Sequence, residues 1–402
     1  MNKTKLTLNE AVDKVINHSK EPTLLKTINE EIFKLWSSTA SKSAISNIRM
    51  HLRYKHHGKT IAYLDKHTIV PLKVAMQDIR FRVPVSRMEA ENGILFLHPY
   101  FILFLQHKKN IKRIKILDIS GNGVPSNLVK VLNAKRAAEQ YEDDYLPAFK
   151  LKEWFNENNI KRHDSIIVTI KDWQQPIFCF EAESEKSRKK HYVEIQQYNK
   201  ELADAIFGGL ESAHEEHVST QIAVLDAYSR LSKAHDYPGD HWIDIIDKDP
   251  RMIVCDTFIA YRDSMEGDLF SNNQSSPARK TISKADAKKE YSFAVTLIRG
   301  TEKTRHITLS GDCSMAEFDY ALRELFDHDD MDHMGGFWLR QKRAHGNKFR
   351  EIEIATINPL GEGDNADLTI AELGLQPGDE LKYVYDFGDW IEHRIVFLKR
   401  VN

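Results

Sequence analysis

Between Asp263 and Lys289 the chain runs through a polar stretch whose centre, Ser271-Asn-Asn-Gln-Ser-Ser-Pro277, offers a hydrophobic core almost nothing to bury. A segment of that composition cannot recover the conformational entropy it would lose on ordering, so it reads as a flexible linker. Its two flanks therefore need not share a core. The whole chain, at 402 residues, also exceeds what one ordinary core supports, and two to four domains are expected.

Charge divides along the same line. Residues 1 to 70 hold twelve Lys/Arg against six Asp/Glu, whereas residues 291 to 402 hold thirteen against twenty. A basic head and an acidic tail imply different partners for the two ends. The most apolar run, Ile94 to Leu105, is too short for a bilayer and contains His98 and Pro99, so no membrane span is expected. The first residues are charged throughout and lack the apolar core of a secretory signal, which points to the cytoplasm. Cys179, Cys255 and Cys313 are far apart and form no C-x-x-C pair, so buried thiols are expected.

Within the head, Thr7-Leu-Asn-Glu10 has the form of a capping box, and Ala11, Val12, Val15 and Ile16 follow at helical spacing. A second helix is predicted from about Leu24 to Trp36, and a third from about Ser41 to Tyr54 with Ile45, Ile48 and Leu52 inward. After Gly58, Thr60–Leu64 and Thr68–Leu72 read as two short strands around Asp65-Lys66-His67. Three helices and a hairpin make the layout of a winged helix-turn-helix. On the third helix Ser46, Asn47 and Tyr54 fall opposite the apolar face, with Lys42, Arg49 and Arg53 along a flank, while Lys55, His56, His57 and Lys59 carry positive charge towards the hairpin. Short polar groups suit base edges and cations suit phosphates, so Lys42, Ser46, Asn47, Arg49, Arg53, Tyr54, Lys55 and Lys59 are the candidate DNA contacts.

The segment Leu6 to Leu72, with Leu8-Asn-Glu-Ala-Val-Asp-Lys-Val15, Ile28-Asn-Glu-Glu-Ile32 and the helix around Ser43 to Leu52, resembles the HARE type of winged helix-turn-helix. That resemblance implies a DNA-binding or DNA-modification-sensing adaptor.

The middle reads as short strands at Phe81–Val85, Gly93–Leu97, Phe101–Leu105 and Ile111–Leu117, and Ser120-Gly-Asn-Gly-Val-Pro125 as a plain turn, since neither a third glycine nor a P-loop lysine follows. Leu151–Ile160 is predicted helical, Lys161-Arg162-His163-Asp164 a polar turn and Ser165–Ile170 a strand. Glu181, Glu183 and Lys186 have the residue types of a nuclease site but no identifiable acidic partner upstream. Residues 187 to 262 are mainly helical.

The tail opens with a predicted hairpin, Tyr291–Leu297 with Thr304–Leu309, then a helix from a Ser314 cap to Phe326, and strands at Phe337–Arg340, Glu351–Ile354 and Glu380–Tyr385. A sheet packed on one helix is expected, β-grasp-like in layout. The most specific string is Tyr385-Asp-Phe-Gly-Asp-Trp-Ile-Glu-His393. Together with Leu373-Gly-Leu-Gln-Pro-Gly-Asp379 it resembles the plasmid pRiA4b Orf-three-like family over about residues 290 to 402. The resemblance implies association with plasmids and insertion elements and brings no enzymatic activity with it. Asp386 and Asp389 are expected to hold a tight turn through side-chain-to-backbone hydrogen bonds, with Gly388 at positive φ and Phe387 and Trp390 packed. The alternative makes His328, His333, Asp386, Asp389 and His393, with Asp329, Asp330 and Asp332 beside them, ligands for zinc or manganese.

The resulting expectation is a multidomain α+β protein: a winged helix (1–72), a β-rich middle domain (73–185), a helical region (186–262), a linker (263–289) and an α+β domain (290–402). Its function is to bind double-stranded DNA without catalysis or cofactor, as a regulatory or mobile-element-associated factor. The acidic domain binds a protein partner or dimerises. A metal-dependent nucleic-acid hydrolase and a protein-binding adaptor are the alternatives.

Overall fold

In the computed structural model, which describes residues 6–36, 41–105, 108–132, 145–213, 215–255, 257–264, 279–298, 303–328 and 333–401, the first helices start where their caps place them. Thr7 and Glu10 close a reciprocal capping box on α1 (Leu8–His18), and the Ser41 hydroxyl accepts from the Ala44 amide at the start of α3 (Lys42–His51). Between them lie a two-residue strand β1 (Thr23–Leu24) and α2 (Leu25–Leu35). The hairpin of β2 (Ile61–Tyr63) and β3 (Thr68–Pro71) takes β1 on its open side, giving an antiparallel sheet in the order β1-β3-β2. Val12, Ile16, Ile28, Ile32, Ile48 and Leu52 meet in a small core between helices and sheet.

The third helix ends earlier than its spacing predicts. After His51 the backbone widens into a π turn, Leu52–His56. That turn keeps Leu52 and His56 buried, while Arg53, Tyr54 and Lys55 face solvent. His56 is held inside by the Thr60 hydroxyl at 2.8 Å and by Asp13 at 3.6 Å.

The rest of the first unit is built on two sheets. One runs β4-β9-β10-β6 (Arg80–Pro84, Ser165–Asp172, Ile177–Glu183, Lys115–Leu117), and the other runs β5-β8-β7 (Ile94–Phe96, Tyr145–Lys150, Asn127–Leu132). Helices α4 (Tyr192–Ser212) and α5 (Thr220–Arg230) pack on this body with a third small sheet, β11-β13-β12 (His217–Ser219, Phe258–Tyr261, Met252–Cys255). Two predicted strands are replaced. Ile102–Phe104 is a 3₁₀ turn, and of Ile111–Leu117 only Lys115–Leu117 is strand, as β6. A strand would send Phe101 and Phe104 to opposite faces, whereas a turn of three residues puts both on Phe81, at ring separations of 5.8 and 4.1 Å.

Compact units divide at 261/262. Within the first unit, a buried carboxylate ties residues 57–63 to the body. Asp226 on α5 accepts from the Tyr63 amide at 3.0 Å and pairs with His57 at 2.9 Å, and Arg230 one turn on donates to the Tyr63 carbonyl at 2.9 Å. Gly58 makes the approach possible: its φ is +73°, and a Cβ there would lie 2.8 Å from the Ile222 side chain. The hairpin is thereby fixed to α5, and Ala62, Val70 and Leu72 join the core of the body.

Residues 262–402 form the second unit. Its six-stranded sheet has the order β15-β14-β19-β18-β16-β17 (Lys303–Ser310, Glu290–Leu297, Ile391–Val401, Glu380–Tyr385, Gly335–Lys342, Phe349–Ile357), antiparallel at every step. The helix α6 (Met315–Phe326), capped by Ser314 and Glu317, buries Met315, Phe318 and Leu322 in a core with Phe293, Phe337 and Phe397. The predicted linker is shorter than its composition suggests, because its end is part of this unit. Arg279 pairs with Asp367 at 2.6 Å, Lys280 donates to the Gly374 carbonyl, and Ile282 packs on the core. Ser271–Pro277 lies outside the described residues.

Replacing Asp226 by Ala should strand the Tyr63 amide and the His57 and Arg230 side chains together. The expected loss is about 2–4 kcal/mol of stability in urea unfolding of the full chain. A loss below about 0.5 kcal/mol would show that the hairpin is held by packing alone.

Candidate functional site

On α3, Ala44, Ile48 and the following Leu52 turn inward, so the opposite face is left for solvent. Lys42, Ser46, Asn47, Arg49, Arg53, Tyr54, Lys55 and Lys59 are all exposed, Tyr54 by 64 %. Among the described residues, no carboxylate lies within ion-pair distance of Lys42, Arg49, Arg53 or Lys55. These four cations have therefore not been spent on the fold. Arg53 lies 5.9 Å from the Tyr54 ring, and the Lys59 ammonium reaches the Tyr54 carbonyl at 3.5 Å, so the face continues across the π turn.

The two histidines in this stretch do not extend that face. Burial, as the largest cause, holds the His56 imidazole below its ordinary value, with Asp13 opposing, and His57 is engaged by Asp226. The positive charge of the face is Lys and Arg charge.

In the second unit, the five candidate ligands fall into two pairs and an outlier. His393, on β19 and fully buried, faces His328 just beyond α6, with Nε2 to Nε2 at 3.0 Å. His333 meets Asp386 at 3.1 Å. Asp389 is exposed and joins neither pair. The Tyr385 ring separates the pairs, stacked parallel on His328 at 4.4 Å and edge-on to His333 at 5.5 Å. Among the described residues no three His, Cys, Asp or Glu side chains converge as a metal-binding group. Asp329, Asp330 and Asp332 lie outside the described residues.

Beneath Tyr385 runs a buried network. Arg323 donates to Asp319 at 2.8 Å and to the His333 carbonyl at 2.9 Å, and the Tyr383 hydroxyl donates to Asp319 at 2.7 Å. Arg323 and Asp319 are four apart on α6, a spacing visible in the chain; nothing in the sequence marks Tyr383 as their partner. The turn that follows differs from its prediction. Asp386 accepts from the Gly388 amide at 2.8 Å, as expected, but the positive φ values belong to Asp386 (55°) and Trp390 (52°) instead of Gly388. The Trp390 amide donates to the Asp386 carbonyl at 2.7 Å, closing a loop that both ends enter left-handed.

The middle of the chain holds no nuclease-type site at Glu181 and Glu183. Glu183 is buried against Arg82 at 2.8 Å and also accepts from Ser165 and Tyr237, while Glu181 pairs with Arg80. Burial, the largest single influence, pushes the Glu183 carboxyl up, but the bonds from Arg82, Ser165 and Tyr237 together hold it below the usual range. A carboxylate so committed is a structural anion.

Comparison with known proteins agrees with the tail alone. Residues 289–402 match the family described as plasmid pRiA4b ORF-3-like protein, so the second unit carries a domain of that kind. No curated protein matches the chain. A crystal structure of a protein of unknown function from Methanosarcina mazei Go1 is similar at 18 % identity, covering 28 % of this chain and 61 % of that one, with a TM-score of 0.22. None of the described helices is long and apolar enough to cross a membrane.

Burial, as the first cause, and the facing His328, as the second, hold His393 down to about 4 from an ordinary 6.5. An imidazole whose folded pKa lies below its unfolded one contributes stability that is complete above pH 6.5 and lost as pH falls towards 4. Hydrogen exchange of the β19 amides should therefore show acid weakening of up to about 3 kcal/mol between pH 7 and pH 4.5. His393→Gln should flatten that dependence; an equally steep variant would place the acid sensitivity elsewhere.

Proposed function

We propose that the chain binds double-stranded DNA through α3 and the π turn, as a regulatory or mobile-element-associated factor without catalysis of its own. The observation that carries this reading is the set of unpaired cations, Lys42, Arg49, Arg53 and Lys55, on the solvent face of a helix whose other face is core. Lys59 adds to the phosphate contacts, and Ser46, Asn47 and Tyr54 face base edges or groove walls. Three helices followed by a hairpin support a winged helix-turn-helix of the HARE type, with α3 as the recognition helix. Because β2 and β3 are fixed to α5, only the exposed tip Asp65–His67 is left to act as a wing. The second unit, read as β-grasp-like from one helix on a sheet, serves to bind a protein partner or a second copy.

The facing imidazoles of His328 and His393 favour one further reading, a metal-dependent hydrolase acting on nucleic acid. Stoichiometric zinc or manganese in purified protein, lost in His328→Ala and His393→Ala, would support it. Two donors alone do not make a catalytic metal site.

Affinity for a random-sequence duplex should fall steeply with salt. Arg49→Ala with Arg53→Ala should weaken it at least about tenfold and lower the slope of log K against log[salt] by about two. Selection from a random duplex library would then report any preferred sequence. Salt-independent affinity, or a double variant that binds like the parent, would sink the reading.

A further inference from the structure

We propose a second duplex-DNA contact on the first unit, separate from α3, where the turn Lys161–Asp164 meets the helix Glu185–Lys190. The two segments are far apart in the chain and each is basic: Lys161-Arg162-His163 in one, Lys186-Ser-Arg-Lys-Lys190 in the other. One carboxylate joins them. Asp164 accepts from the Lys161 amide at 2.8 Å with one oxygen, closing the turn, and from the Glu185 amide at 2.8 Å with the other. His163, at φ +74°, donates its amide to the Val85 carbonyl at 3.3 Å, which holds the turn at the sheet edge.

The result is a rim on which six Lys or Arg side chains, at 161, 162, 186, 188, 189 and 190, stand beside Glu185 and Asp164. Asp164 is engaged by backbone amides, and Glu185 pairs with Lys189 at 2.7 Å. Lys161, Arg162, Lys186 and Lys190 are exposed and, among the described residues, have no carboxylate within ion-pair distance. Beside the rim opens a cleft of about 560 Å³, to which Asn158, Asn159, Ser184 and Ser187 contribute. Of its three acidic members, Glu181 pairs with Arg80 and Glu183 with Arg82, while Asp164 is held by the two backbone amides.

Cations on two elements flanking amide and hydroxyl groups suit the phosphates and sugars of a nucleic-acid backbone. A membrane contact would instead need a continuous apolar helix face below the charges. Exposed Tyr192 and Val193 follow the basic run but do not make such a face. The contact reads backbone and not sequence, and it does not depend on α3 being a recognition helix.

The test uses the full chain and a labelled 20-base-pair duplex, with anisotropy read across a salt series. Changing Lys161, Arg162, Lys186 and Lys190 together to Gln should lower affinity at least about tenfold at low salt and reduce the salt slope by about three to four. Thermal unfolding of the variant should match the parent, since none of the four side chains holds the fold. Unchanged affinity and slope overturn the proposal, as does wild-type protein that binds no duplex or that prefers phosphatidylserine vesicles to it. The Arg49→Ala and Arg53→Ala pair separates this idea from the α3 reading. If that pair binds normally while the Gln variant does not, α3 is not the DNA contact and this surface stands. The reverse result retires this surface alone.

Discussion

Much of the first unit depends on where Asp226 sits. It is 5 % exposed, and it gathers a backbone amide, an imidazole and a guanidinium from two segments far apart in sequence. Burying a carboxylate is costly unless its lone pairs are filled, so a site that fills them from one hairpin accepts no other arrangement of that hairpin. The consequence reaches outward. Gly58 must carry no side chain, β2 and β3 must lie on α5, and the small helical core above them is held to the body by polar contacts as well as by packing.

The same arithmetic sorts the charges of the whole chain. Arg82 with Glu183, and Arg323 with Asp319 and Tyr383, are spent internally, each ion surrounded by partners that compensate its lost hydration. Lys42, Arg49, Arg53 and Lys55 on α3 and its π turn, and Lys161, Arg162, Lys186 and Lys190, are not. Net charge near neutrality conceals this division, because paired and unpaired ions count alike in a composition. Cations that the fold leaves unpaired stay available to a polyanion, and paired ones do not.

Local signals in the chain determine much of its local structure. Thr7-to-Glu10 and Ser314-to-Glu317 are four-residue patterns with a single geometry, so the capped helices and the tail hairpin were legible within a few residues. The outline of three helices and a hairpin was legible for the same reason, and so was the exposed face of α3, which follows from periodicity. What was not legible required distant partners. Nothing at Phe101 to Leu105 announces that two phenylalanines must reach one neighbour, so a 3₁₀ turn passed for a strand. Asp164 gives no sign that it will bridge to Glu185, and the separation of His328 and His393 from His333 and Asp386 is set by the Tyr385 ring between them. The expectation that Gly388 would adopt the positive φ came from propensity alone; closing the turn through the Trp390 amide moved that conformation to its two ends.

A π turn holds one residue more than an α-helical turn of the same reach. In Leu52–His56 that wider turn itself carries Arg53, Tyr54 and Lys55, directly after the part of the exposed face on α3. Removing one residue there would restore a regular helix and rotate everything downstream by about 100° relative to what precedes it. The spacing between the two groups of cations is thus a heritable length. A single-codon deletion would change the phosphates this face can span while leaving its composition nearly untouched.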